Sequence, residues 1–254
     1  MLSLIPLLGI PIVQPGDDLA CLIVEALACT AGGIALRDED ILVVTQKVVS
    51  RAEGRFVALH SVQPSPRAHE LAERTGKDAR VIEVMLWDTA ELVRVAPRVI
   101  IVRHRLGFVC ANAGVDASNV AESGAEMVLR LPADPDRSAR QLRARIQELT
   151  GAAPAVIISD SHGRAWREGT VGVAIGVAGL EPVQDLRGTP DLFGRPLQIT
   201  TVGFADQIAA AASLVSGQAD EGLPVVLVRG LPYQHSETAS ARALLRPREL
   251  DLFC

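Results

Sequence analysis

The 254-residue chain has only four cysteines, Cys21, Cys29, Cys110 and Cys254. None stands in a CxxC pair or at Cys/His zinc spacing, which excludes a thiolate zinc site and leaves incidental thiols of a reducing cytoplasm. An excess of Lys and Arg is also missing. There are 25 of them against 30 Asp and Glu, a net charge of −5. That excludes nucleic acid as the main partner, but not a single nucleotide, which needs only a few local charges. No apolar run reaches bilayer-spanning length. The apolar N-terminus, Met1 to Val13, is too short, is broken by Pro6, Gly9 and Pro11, and has no Lys or Arg before it. It is expected as an extended, buried lead-in, and neither a signal peptide nor a membrane partner is expected. Internal repeats, low-complexity tracts and an obvious linker are absent. So are the usual phosphate loops: Gly76-Lys77 lacks the upstream glycine of a P-loop, and Gly172, Gly176 and Gly179 have the wrong spacing for GxGxxG. Close packing or bends of a buried strand is the better reading of those three glycines.

What is present is a globular composition, 48% hydrophobic and 22% charged. Helices are predicted over 19–28 behind Asp17 or Asp18, over 67–75 behind Ser65-Pro66 and closed by Gly76, and over 78–90. Another is predicted through Leu149, opened by a Ser138/Gln141 capping box, and one over 207–215 capped by Asp206. Strands are predicted at 41–45, 99–102, 155–158 ending at Ser159-Asp160-Ser161, 198–202 and 224–228. Pro132 to Asp136 reads as a loop, and the tail after Pro232 as a helix and a loose end. Without a strict βαβ rhythm this is an α+β fold.

Three clusters could carry chemistry. Asn112, Asp116, Ser118 and Asn119 lie among small residues in 107–119; Asp116 and Asn119 offer hard oxygen ligands for magnesium or manganese, or else an Asx-turn network holds a loop. Asp160 follows an apolar strand with Ser161, Arg164 and Arg167 beside it. It suits metal and phosphate together, or a turn cap with solvated arginines. His162 reads as a surface or hydrogen-bonded histidine. Lys47 and Arg51, four apart after the first strand, suit a triphosphate if helical, or form a solvated face.

Several motifs in order resemble one family. Gly9-Ile-Pro-Ile-Val, Thr45-Gln-Lys-Val-Val-Ser-Arg-Ala-Glu-Gly-Arg55, Cys110-Ala-Asn-Ala-Gly-Val-Asp-Ala-Ser-Asn119, Ser159-Asp-Ser-His-Gly-Arg164 and Asp206 to Gly217 look like the coenzyme F420-0:L-glutamate ligases, also called F420 gamma-glutamyl ligases. The resemblance implies a cytoplasmic, GTP-dependent enzyme. It joins L-glutamate to the lactyl-phosphate side chain of a deazaflavin precursor and extends it through gamma links. It also implies magnesium or manganese at two sites, stimulation by potassium, and a two-subdomain α+β unit over 1–254 in an intertwined homodimer. The stand-alone form, without a nitroreductase-like domain, is expected.

Position by position, the resemblance makes Asp116 and Asp160 the catalytic first-metal ligands, with Ser161 and Gln218 at the second metal. It gives the GTP contacts to Ile10, Pro11, Ile12, Val13, Gln46, Lys47, Arg51 and Asn119, and to the loop Ser216, Gly217, Gln218, Ala219, Asp220, Glu221, Gly222 and Leu223. Ser161 stands where many members have threonine, Arg51 where many have lysine, and Gln207 where glutamate is frequent. The residue chemistry agrees, since phosphoryl transfer between two anions needs metals and cations to neutralise charge. A non-catalytic GTP- or cofactor-binding homologue, or a metal-dependent amide ligase on another carboxylate, are the competing readings.

Overall fold

The computed structural model describes residues 1–117 and 126–251. Its elements in chain order are β1 (Ser3–Pro6), α1 (Leu19–Cys29), β2 (Ile41–Thr45), α2 (Gln46–Ala52), β3 (Phe56–Ala58), α3 (Pro66–Thr75) and α4 (Ala79–Trp87). There follow β4 (Thr89–Ala96), β5 (Val99–His104), β6 (Val109–Ala111), β7 (Met127–Leu129), α5 (Pro135–Thr150), β8 (Ala155–Arg164) and β9 (Arg167–Leu180). The last are β10 (Val183–Asp185), β11 (Thr201–Gly203), α6 (Phe204–Ser216), β12 (Val225–Arg229) and β13 (His235–Ser236). The mixture agrees with the α+β expectation.

The main sheet has strand order β1-β12-β2-β8-β9-β13. β2 and β8 are parallel, and the other neighbours are antiparallel. The runs Ile41 to Val44, Ala155 to Ile158 and Val225 to Val228 lack alternation because both faces are covered. Leu42, Val44, Val156 and Ile158 meet Ile23 of α1, Val48 of α2 and Ile146 of α5 on one side. Ile41, Val43, Ile157 and Val226 meet Phe204, Ile208 and Ala212 of α6 on the other. A second core, built on Leu71, Ile82, Met85, Ile100 and Val102, joins α3 and α4 to the three-stranded sheet β4-β5-β6.

The glycines of β9 are packing devices, as expected. A Cβ at Gly172 would overlap the carbonyl of Ala209, and one at Gly176 the carbonyl of Pro135. So α6 and the start of α5 lie directly on the strand backbone. The outer edge of β9 is closed by side chains: Asp206 Oδ1 accepts from Ala174 N–H at 2.8 Å and Asp136 Oδ1 from Val177 N–H at 2.9 Å.

Several boundaries differ from expectation. The helix over 78–90 stops at Trp87; Asp88 caps it, and Thr89 starts β4, a strand not foreseen. α5 begins at Pro135, not Ser138, because Asp134 accepts from Arg137 N–H and Pro135 takes the first turn. Ser138 instead turns its hydroxyl to Glu53. α6 begins at Phe204, so Asp206 lies in its first turn and is no cap. The expected strand 198–202 shrinks to Thr201–Gly203. The tail holds short 3-10 turns, Ala241–Leu244 and Arg248–Leu250, and no α-helix among its described residues. The N-terminus is only partly buried: Leu7 and Val13 are, but Leu8 and Ile12 are exposed. No helix among the described residues is long and apolar enough to cross a membrane.

Candidate active site at one edge of the sheet

Strand direction decides what this edge collects. β1 ends where β12 begins, since Leu7 N–H bonds Val225 O, and β2 ends beside them, since Thr45 N–H bonds Pro224 O. β8 runs parallel to β2, so its polar end leaves on the same side. The segments 7–13, 46–51 and 217–224 and the far half of β8 therefore meet, although they are distant in sequence.

Lys47 lies in the first turn of α2, and its Nζ is 2.7 Å from Asp116 Oδ2, both side chains partly exposed. Asp116 itself is held by backbone bonds to and from Leu129 at 2.9 and 2.8 Å. The stretch 46–52 is helical, so Lys47 and Arg51 do share a turn. Arg51 is buried, however, and donates from Nε to the Val13 carbonyl at 2.7 Å, with its guanidinium over the Phe56 ring. It fastens segment 10–13 to α2. Gln46 is buried too, its Oε1 accepting from Ser50 at 2.9 Å.

Asp160 is not at a strand exit. β8 continues to Arg164 in a hairpin with β9, and its register shifts between Ile158 and Ser159. Such a bulge re-aims the residues after it. Asp160 Oδ2 lies 3.0 Å from His162 Nε2, the two sharing a face as residues two apart on a strand must. The His162 ring tilts against Phe108 at 5.2 Å. Ser161 points the other way and donates to Gln218 Oε1 at 2.7 Å, so the two positions expected at a second metal do touch. Arg164 and Arg167 are not brought in. They pair at the hairpin tip, about 13 Å along the strand from Asp160, where Arg164 bonds the Gly169 carbonyl. In the loop 216–223, Gly217 has φ 73°, and a Cβ there would collide with Glu221, which accepts from Ala219 N–H at 2.8 Å. Ser118 and Asn119 lie outside the described residues.

Asp116, Asp160, Ser161 and Gln218 offer oxygen only, the donor type magnesium and manganese prefer. No group of three or more His, Cys, Asp and Glu that could hold a metal occurs among the described residues. Sparse carboxylates suit an ion that keeps waters and takes phosphate oxygens, more than one caged by protein. Cys110 is no candidate: burial first, then the Asp160 charge, pushes its thiol up to about 12. A cavity of about 260 Å³ opens beside His162, between Phe108, Asp206 and Leu245. Sequence reasoning missed the His162–Asp160 pair and the stacking of Phe108, although the i, i+2 spacing could have shown the first.

An edge of hard oxygen donors with a lysine aimed at one of them suits anionic, phosphate-bearing substrates. The F420-0:gamma-glutamyl ligase family matches residues 8–230. A Coenzyme F420:L-glutamate ligase of Methanothermobacter thermautotrophicus is 51% identical over 253 residues, 99% of this chain and 98% of that protein. One of Methanopyrus kandleri is 50% identical over 244 residues, covering 95% and 93%, and one of Archaeoglobus fulgidus 44% over 226, covering 89% and 86%. The chain belongs to the F420-0:gamma-glutamyl ligase family.

Proposed function

We propose that this chain is a cytoplasmic GTP-dependent ligase that joins L-glutamate to coenzyme F420-0 and extends the gamma-linked tail. The observation that carries the reading is the meeting of Lys47–Asp116, Asp160 and Ser161–Gln218 at one edge, in a chain half identical to proteins named for this reaction. The substrate carboxylate oxygen attacks the γ-phosphorus of GTP, and GDP leaves. The glutamate nitrogen then attacks the acyl carbon; the C–N bond forms, the C–O bond breaks, phosphate leaves with its electron pair, the amide nitrogen keeps one proton, and the rest of the amine's protons pass to solvent. Asp116 and Asp160 would hold one divalent ion and Ser161 with Gln218 a second, and these ions supply charge neutralisation for phosphoryl transfer. Ile10 to Val13 and Ser216 to Leu223 border the nucleotide, with Arg51 keeping the first segment in place. Incubation with the deazaflavin precursor, manganese, L-glutamate and either GTP or ATP, followed by mass spectrometry, tests it. Glutamylated product with GTP and little with ATP is expected. No product with either would leave a non-catalytic binding protein, and equal product with ATP would remove the nucleotide preference.

Lys47 is expected to hold phosphate. Charge-assisted hydrogen bonds are worth about 1.5–3 kcal/mol, so Lys47→Met should weaken a non-hydrolysable GTP analogue roughly tenfold to a hundredfold in calorimetry with manganese. Arg67→Met, on the exposed face of α3, is the comparison; equal affinities for the two variants would place the nucleotide elsewhere.

A homodimer is part of the proposal. Leu192, Phe193 and Ile199 are almost fully exposed on the excursion between β10 and β11, an apolar arm that a partner would cover. Light scattering at micromolar concentration should give twice the 27.0 kDa chain mass, and Phe193→Asp should lower it. A single-chain mass for the unmodified protein would overturn this part.

A further inference from the structure

A second cavity, of about 200 Å³, lies between the β5–β6 turn and residues 131–133, lined by Arg55, Asp88, His104 and Arg105. We infer that it is an anion subsite, taking one phosphate or carboxylate group on the Arg55 guanidinium and the His104 Nε2–H.

His104 is 4% exposed, its ring stacked on Phe108 at 5.1 Å with planes 12° apart. The turn closes on it: Leu106 N–H donates to Nδ1 at 3.0 Å. A neutral imidazole with an accepting Nδ1 carries its proton on Nε2. Burial holds the ring neutral by pushing its pKa down to about 4. Nε2 is buried and has no partner among the described residues, one of two such side-chain atoms there. A buried donor without an acceptor is costly, so it points to a missing acceptor.

Asp88 is not that acceptor, since Nε2 makes no bond to it. Its Oδ1 takes bonds from Arg105 and Arg130 at 2.7 and 2.8 Å, and its Oδ2 one from Arg130 at 2.7 Å. Arg55 is half-buried, donates from Nε to the Leu131 carbonyl at 2.9 Å, and has no carboxylate within salt-bridge distance among the described residues. Burial first, then the Arg130 charge, holds its pKa below the ordinary value. Two guanidiniums are thus taken up by Asp88, while Arg55 and the neutral donor His104 both line the cavity. The volume is below the roughly 300–1,000 Å³ of sites that enclose a whole small molecule, so the cavity takes one end of a ligand.

The subsite lies one aromatic ring from the chemistry, because Phe108 also touches His162, the partner of Asp160. Binding of an anion here does not depend on the proposed activity. Which anion it is rests on that reading: the phosphate of the precursor's lactyl-phosphate side chain, or a carboxylate of L-glutamate.

The test uses the full chain with labelled histidine nitrogens. Orthophosphate and L-glutamate are titrated separately, and the His104 Nε2 resonance is followed by NMR. One of them should shift it, and in calorimetric titration with that anion Arg55→Met and His104→Phe should each weaken binding about tenfold to a hundredfold. His104→Phe keeps a ring against Phe108; Arg55→Met changes only a half-buried side chain, so at least one remains readable if the other misfolds. No shift with either anion, or unchanged affinity in Arg55→Met, overturns the subsite. In the glutamylation assay, a raised KM for the precursor alone assigns the phosphate, and for L-glutamate alone the carboxylate. Unchanged KM for both overturns the substrate role while leaving the ligase reading standing.

Discussion

Asp116→Asn and Asp160→Asn proteins are expected to lose nearly all glutamylation while staying folded. The amide keeps the carboxylate's shape and removes its charge, which is what a divalent ion and its phosphates require. The structural cost should be small. Asp116 is held by backbone bonds to Leu129 that the substitution leaves intact. Its pair with Lys47 is partly exposed, with side chains 28% and 23% accessible, and such pairs contribute at most about 1 kcal/mol. Three readings separate the cases: product by mass spectrometry, the circular-dichroism melting midpoint, and manganese binding by electron paramagnetic resonance. Lost turnover and weakened manganese binding with a near-normal midpoint is the expected set. Near-wild-type turnover in either variant at saturating manganese would remove that residue from the site.

The largest effect on stability is expected at Asp88. Its side chain is 3% exposed and is clamped by Arg105 and Arg130, the latter also lying over the Trp87 ring. Burial pushes its pKa up, but the hydrogen bonds and charges of the two arginines outweigh this and hold it below the ordinary value. Removing one partner of such a cluster costs about 3–5 kcal/mol, because the remaining charges stay buried unpaired. Asp88→Ala should therefore unfold at a markedly lower urea concentration at pH 7. A depressed folded pKa contributes stability that is present above the unfolded value and lost as the pH falls through the folded one. The wild-type protein should lose this contribution on acidification below about pH 4, whereas the variant has none to lose there. Equal urea midpoints at pH 7 would show that the cluster contributes nothing net.

The buried strands were legible because a double-faced sheet writes uninterrupted apolar runs, as in Ile41 to Val44 and Ala155 to Ile158. Asp160 was misplaced for the same reason: β8 leaves the covered part of the sheet there, and a strand with an open face no longer looks apolar. β4 was hidden because Asp88, at helical spacing from Met85, extended the apparent helix; its burial comes from arginines far along the chain. The start of α5 had a local signal in Asp134-Pro135, and Ser138 with Gln141 imitated a later one. At the site, the segments could be picked out but not their partners. Lys47 with Asp116, Arg51 with Val13 and Ser161 with Gln218 are made by strand order, and no local pattern encodes them. His104 gave no signal at all, since its meaning depends on a turn that fixes its tautomer.

The place of β2 between β12 and β8 has a consequence for the growing chain. β2 leaves the ribosome early, yet one of its neighbours is made past the middle and the other near the end. Its β8 edge can pair only once Ala155 to Ser159 emerge and its β12 edge only once Val225 to Val228 do, and pairing over such separations is slow. Nascent chains halted before β12 lack the strand that flanks the end of β2 ahead of Lys47, and they present an open apolar edge of β2 to one another. Only a chain translated through β12 can both bury β2 and complete the edge on which the chemistry is proposed.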